Sequence, residues 1–238
     1  MRVPRKRLLR AGGSVGISPA MSDFLESDMA QAPFAAYWPR GRDGTKRFPE
    51  NHRLLLESSR MKVVDVFIAA RSAEKPHTHR LESFMFTDQP APIEVRWVDA
   101  ARRLKLVYAR RRALKRPRRP YAHAVAAEPL HFVTNIGRRD YLATRVEFKA
   151  GAVGILQDCP VAPGGSLILD AGYEAVVVGR TGASLRVMRR AGARWRPLEP
   201  LDNGQDRPQV WHLPAGTHKI ENPAKRAERV YRLTLKTG

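Results

Sequence analysis

Residues 162–188 read Ala-Pro-Gly-Gly-Ser-Leu-Ile-Leu-Asp-Ala-Gly-Tyr-Glu-Ala-Val-Val-Val-Gly-Arg-Thr-Gly-Ala-Ser-Leu-Arg-Val-Met. Three short runs rich in β-branched and apolar residues (166–170, 174–178 and 184–188) are separated by turns built on glycine and proline. The texture continues in both directions, with further strand-like runs at 145–149, 209–213, 218–221 and 229–235 and turns at 202–204 and 214–216. Short strands punctuated every ten or so residues predict an antiparallel sandwich or jelly roll over 144–238. No strand-and-helix alternation of about thirty residues occurs, which argues against a doubly wound α/β enzyme.

Trp195-Arg-Pro-Leu198, the Asn203-Gly204 turn, Val210 to Leu213 leading into Pro214-Ala-Gly216-Thr217, and a closing run from Val230 to Leu235 complete this C-terminal part. The succession resembles the accessory β-sandwich modules of phage and other virion proteins. That resemblance implies a structural or assembly role and brings no catalytic residues with it.

Upstream, 62–70 (KVVDVFIAA) reads as a buried strand and 52–61, with Leu54, Leu55 and Leu56, as a short helix. Ile93, Val95 and Trp97 alternate with Glu94 and Arg96, and after residues 99–102 the alternation resumes at Leu104, Leu106 and Tyr108. This predicts a hairpin; the competing reading is one helix from Asp99 to Arg116, stopped by Pro117. The expected fold class is mainly β (α+β): a basic N-terminal arm over 1–20, a smaller mixed α/β region over 21–143, and the sandwich over 144–238.

The chain has 238 residues, 43% of them hydrophobic, enough for a packed core, and a net charge of +20. Cys159 is the only cysteine, so an intramolecular disulfide and a four-cysteine zinc site are both excluded. The first twenty residues are basic and lack a continuous apolar core, unlike a secretory signal; an intracellular or virion setting is expected, with an organelle presequence as the alternative.

Over half of the net charge falls in 101–150. Arg102, Arg103, Lys105, Arg110, Arg111, Arg112, Lys115, Arg116, Arg118 and Arg119 form an acid-free stretch, and Arg138 and Arg139 follow. Clustered arginine predicts phosphate contacts, so nucleic acid, RNA or DNA, is the expected partner and acidic membrane the alternative. Tyr108 and Tyr121 flank the stretch, positioned either to stack on bases or to edge the core.

His77-Thr-His79, with Glu82 close behind, resembles the first metal-binding motif of cupins, and Pro214-Ala-Gly-Thr-His218-Lys-Ile-Glu-Asn222 resembles the second. The pattern departs from the family in the glutamate's place, in the single residue between Gly216 and His218, and in the long separation of the two halves. A metal site needs three or four converging ligands, so the expectation is no metal and no cofactor. Alternatively His77 or His79 serves as a general base, as in the RNA-processing subunits of CRISPR effector complexes. Gly179-Arg-Thr-Gly182 resembles the phosphate-gripping loop of KH domains, but its apolar flanks favour a hairpin turn. No P-loop or Gly-x-Ser-x-Gly elbow occurs. These readings together predict a non-enzymatic assembly subunit that binds nucleic acid alongside other protein subunits. An RNA-processing subunit and a cupin-like metalloenzyme are the alternatives.

Overall fold

The computed structural model describes residues 7–8, 34–112, 120–149, 151–201 and 206–237. In chain order its elements are β1 (Arg7–Leu8), helix α1 (Gly44–Arg47), β2 (His52–Glu57), β3 (Met61–Ile68), β4 (His77–His79), β5 (Ser83–Gln89), β6 (Ile93–Val98), β7 (Leu104–Arg110), β8 (Tyr121–Val125) and β9 (Glu128–Asn135). They continue with β10 (Tyr141–Phe148), β11 (Ala152–Val161), β12 (Ser166–Ala171), β13 (Ala175–Val178), β14 (Arg186–Ala191), β15 (Arg194–Leu198), β16 (Val210–Leu213), β17 (Gly216–Glu221) and β18 (Glu228–Thr237). The expected mainly-β, jelly-roll class is what the chain adopts.

The strands form four sheets, ordered β2-β3-β10-β5-β8, β4-β9-β6-β7, β1-β11-β18-β13-β16 and β12-β17-β14-β15. Every ladder between these strands is antiparallel. The first two sheets make one sandwich and the last two another. Period-two alternation gives each five-stranded sheet two apolar faces. On β3, Val64, Val66 and Ile68 join Ile93, Tyr141 and Ala143 inside the first pair, while Met61 and Val63 face the other way. On β13, Ala175 and Val177 pack with Trp211, Leu213 and Ile220 inside the second pair, while Val176 and Val178 face outward.

Those outward faces meet. Met61, Val63, Phe84, Phe86, Val146 and Phe148 pack against Leu156, Val176, Val178, Val210, Tyr231, Leu233 and Leu235 in a third apolar layer. The Phe86 and Tyr231 rings lie 5.6 Å apart across it. The approach is close enough that a Cβ on Gly154 would stand 2.8 Å from Phe148 Cζ, which is why β11 carries glycine there.

Several local expectations change. The stretch expected as a helix over 52–61 contains strand β2, paired along β3 with a register shift between Leu54 and Leu56. The hairpin reading of 93–110 holds and the helix reading does not: Val98 pairs with Leu104. Its turn is held by the Asp99 carboxylate, which accepts the Arg103 N–H at 2.8 Å, with Arg102 at φ 61°. Residues 145–149, read with the C-terminal strands, belong instead to β10, zipped between β3 and β5. Gly179-Arg-Thr-Gly182 is not the expected hairpin turn, because it links strands of two different sheets; nor does it present a phosphate clamp, since the Arg180 guanidinium is bound by both oxygens of Glu228 at 2.7 and 2.9 Å. The Asp202-Asn-Gly204 turn lies outside the described residues, as does the 1–20 arm apart from Arg7 and Leu8, which pair with Leu156 and Ile155.

Leu233 is fully buried in the layer shared by the two sandwiches. Leu233→Ala should lower unfolding stability by about 2–5 kcal/mol, whereas Leu104→Ala, at an exposed position, should change it by less than about 0.5 kcal/mol. Denaturant titration of both variants measures the difference, and equal small effects would mean the shared layer is not packed.

Candidate metal centre

Strand β10 turns the residues of one parity toward the interior of the first sandwich. Tyr141 and Ala143 are apolar and belong to its core; Arg145 and Glu147 continue the same face with charge, and both are buried. The interior is therefore divided into an apolar half and a polar half. The polar half collects His52 from β2, His77 and His79 from β4, and Glu128 and His131 from β9. His77 pairs directly with His131 across the β4–β9 ladder.

All four imidazoles are buried, none more than 3% exposed. Ring centroids are 4.4 Å apart for His52–His77, 4.5 Å for His77–His131, 4.9 Å for His52–His79, 5.0 Å for His77–His79 and 5.6 Å for His79–His131. Three rings are oriented through Nδ1. Those of His77 and His131 lie 2.8 Å from the carbonyls of Lys75 and Pro129, two residues back, and that of His79 lies 2.6 Å from Glu147 Oε1. A neutral ring that donates from Nδ1 presents the Nε2 lone pair. The Nε2 of His77 has no hydrogen-bond partner, and His79 Nε2 is 3.3 Å from His52 Nε2. Two ligand sets, His52–His77–His79 and His79–Glu128–His131, each gather their donor atoms within 4.8 Å.

Electrostatics match ligation. Burial pushes the His77 imidazole down to about 3, with His131 adding to the effect. Burial likewise holds His52 and His79 well below the ordinary range, helped by His77 for the first and Arg145 for the second. These rings are neutral at pH 7 and need shed no proton to bind a metal. Burial also acts on Glu128, but its contacts with His131 and Arg145 outweigh it and bring the carboxyl to about 2. Glu74, buried with one oxygen on the Val133 N–H, is pushed up to about 8 by desolvation and is protonated at neutral pH. Burial raises Glu147 as well, against the pull of Arg145.

Arg145 Nη1 donates to Glu128 Oε2 at 2.5 Å; Nε stands 3.5 Å from Glu147 Oε1, and neither Nε nor Nη2 has a hydrogen-bond partner. The chain running into α1 covers the cluster. Its Tyr37 carbonyl accepts the Leu130 N–H at 2.8 Å and its Arg42 carbonyl the Thr78 N–H at 2.7 Å. Asp43 caps the helix through Thr45 and takes Lys62 Nζ at 3.4 Å. Gly44 passes so close that a Cβ there would lie 2.8 Å from His77 Cδ2.

Three expectations change. His77 and His79 were expected to lack converging partners; the fold supplies His52, His131 and Glu128. His218, read as part of the second cupin motif, sits on β17 in the other sandwich, and His131 takes the place beside His77 and His79. Glu82, expected close behind the histidines, lies beyond β4 and belongs to neither ligand set.

The described basic residues of this set fall in two groups. Arg102, Arg103 and Lys105 sit at the β6–β7 turn, where Arg103 is bound to Asp99 at 2.6 Å. Arg110, Arg111, Arg112, Arg138 and Arg139 lie toward the opposite end of that sheet, where Ile93 pairs with both Arg110 and Asn135. Arg110 Nε donates to Tyr108 at 3.0 Å. Lys115, Arg116, Arg118 and Arg119 lie outside the described residues.

No family model and no curated protein matches the chain. Solved structures do. Vicilin from Solanum melongena aligns with a TM-score of 0.50 at 8% identity, covering 74% of this chain and 74% of that one. AerE from Microcystis aeruginosa gives a TM-score of 0.49 at 11% identity, covering 78% and 97%, and the oxalate decarboxylase formate complex from Lactobacillus farciminis gives 0.47 at 10%, covering 81% of each. The vicilin likeness shows the jelly-roll fold alone. It bears out the β-sandwich, jelly-roll part of the resemblance drawn from the C-terminal sequence. The reading of a non-enzymatic subunit that binds nucleic acid is corrected by the buried histidine cluster with its two candidate ligand sets.

Proposed function

We propose that the chain is a cupin-like metalloenzyme, with its centre in the polar half of the first sandwich and a small oxyanion-bearing substrate. The observation that carries this reading is the convergence of four buried imidazoles, three of them oriented through Nδ1. Imidazole with carboxylate suits a divalent first-row transition ion such as iron, zinc, copper or nickel. His79 is common to both ligand sets and would hold the ion with either Glu128 and His131 or His52 and His77. The bound ion supplies Lewis acidity, and redox chemistry if it is redox-active.

The protein's own groups do the rest. Glu147 fixes the His79 ring, the carboxylate–histidine arrangement that tunes metal ligands. Arg145 offers its unpartnered Nε and Nη2 to a carboxylate or similar group of the substrate, since Nη1 is already bound to Glu128. Glu74, protonated at neutral pH, is a proton source 3.6 Å from His52. Glu128, whose side chain is 21% exposed, is the least enclosed of these groups and marks the way in.

Elemental analysis of purified protein should find about one transition ion per chain, lost in His79→Ala. Glu147→Gln should weaken metal affinity by about 10- to 100-fold with the fold intact. A metal-free wild type that binds no transition ion on titration would overturn the proposal.

The metal-free chain should also be acid-sensitive in a particular way. His52, His77 and His79 have folded values below their unfolded value of about 6.5. They therefore contribute stability that is present above that pH and lost on acidification. Glu74 and Glu147, shifted upward, act oppositely as the pH rises from about 4.5 toward 8. Glu128 joins the histidines below about 4.5. Stability should thus fall gently from pH 6.5 to 4.5 and steeply below, as read by urea unfolding at several pH values; a flat profile would contradict the buried neutral cluster.

A further inference from the structure

The second sandwich repeats the division of its interior into apolar and polar halves, but with a different charge. On β14 and β17, Val187 pairs with Ile220 in the core, and the next inward pair is Arg189 with His218. On β18, Val230 belongs to the core and Arg232 is the next inward residue. His218 is completely buried, and neither ring nitrogen has a hydrogen-bond partner, although the Gly216 backbone sits close enough to favour its protonated form. The side chains acting on its ring are those of Arg189, Arg232 and His212; no carboxylate is among them.

Arg232 is 8% exposed. Its Nη2 donates to the Asp170 carbonyl at 2.9 Å and its Nη1 to Gln157 Oε1 at 3.4 Å, and Nε has no partner. The nearby Asp170 carboxylate accepts the Thr217 hydroxyl at 2.9 Å. Arg189 is exposed and reaches the Ala215 carbonyl only at 3.4 Å. Gly216, at φ 138°, leaves the space before it open: a Cβ there would meet nothing nearer than Arg189 Nε at 3.7 Å. A buried polar group without a partner is costly, and here the unmet nitrogens belong to a histidine and an arginine on facing sheets, with a second arginine at the rim. We infer that the polar end of the second sandwich is a binding site for a small oxyanion, a phosphate or carboxylate group, held by Arg189, Arg232 and His218. Nothing in the first sandwich is needed for it.

Calorimetric titration of the full chain with inorganic phosphate, and separately with acetate, at constant ionic strength tests this and tells the two anion classes apart. One of them should bind saturably at one site per chain and shift the imidazole resonances of His218. Arg189→Gln, at an exposed position, should weaken that site at least tenfold without lowering thermal stability, and His218→Gln should do the same if it folds. Arg194→Gln, on the exposed part of β15, should leave affinity unchanged and so control for general charge. The site should persist in His79→Ala protein, which separates it from the metal centre. Absence of saturable binding by either anion, or equal weakening in Arg194→Gln, would overturn the inference.

Discussion

The hydrogen bond from His79 to Glu147, 2.6 Å long and buried, is the contact on which the centre depends. An isolated carboxylate inside a sandwich would be costly, several kcal/mol after relaxation. Here Glu147 is placed by a strand whose neighbouring inward residue is Arg145, and Arg145 is in turn bound to Glu128. One row of alternating side chains on β10 therefore supplies the orienting acid, the cation that compensates it, and the link to the acid at the entrance. Loss of either charge would strand the other in low dielectric and release the imidazole from its orientation.

That row can exist because β10 is the central strand of a five-stranded sheet with both faces covered. Its opposite face, with Val146 and Phe148, is committed to the layer shared with the second sandwich. The apolar contacts that join the two sandwiches thus also hold the register of β10 against β3 and β5, and through it the positions of Arg145 and Glu147. The second sandwich carries its own polar end, cationic where the first is mixed. Two similar barrels have been given different interior chemistry by a few inward positions.

The sequence announces the β class through its turn residues and the His77-Thr-His79 pair through its spacing. What it hides is convergence. His131 and His52 are far from that pair along the chain and reach it only through strand pairing, of which a single sequence holds no record. One signal was available: charge placed in register with core residues, as with Arg145 and Glu147 after Tyr141 and Ala143. Residues 52–61 suggest a helix because Leu54, Leu55 and Leu56 are good helix formers, but pairing along β3 overrides that preference and the bulge at Leu54–Leu56 erases the period-two signal. The arginine-rich stretch misleads for a related reason: charge density along the chain says nothing of direction, and the hairpin sends its described members to opposite ends of one sheet.

The most direct measurement is anomalous X-ray diffraction from crystals of the metal-loaded protein, collected on both sides of the absorption edge of the ion. The account predicts a single strong peak in the first sandwich, within coordinating distance of His79 and of one of its two partner pairs, Glu128 with His131 or His52 with His77. A peak elsewhere, or none from protein shown to contain the ion, would contradict it.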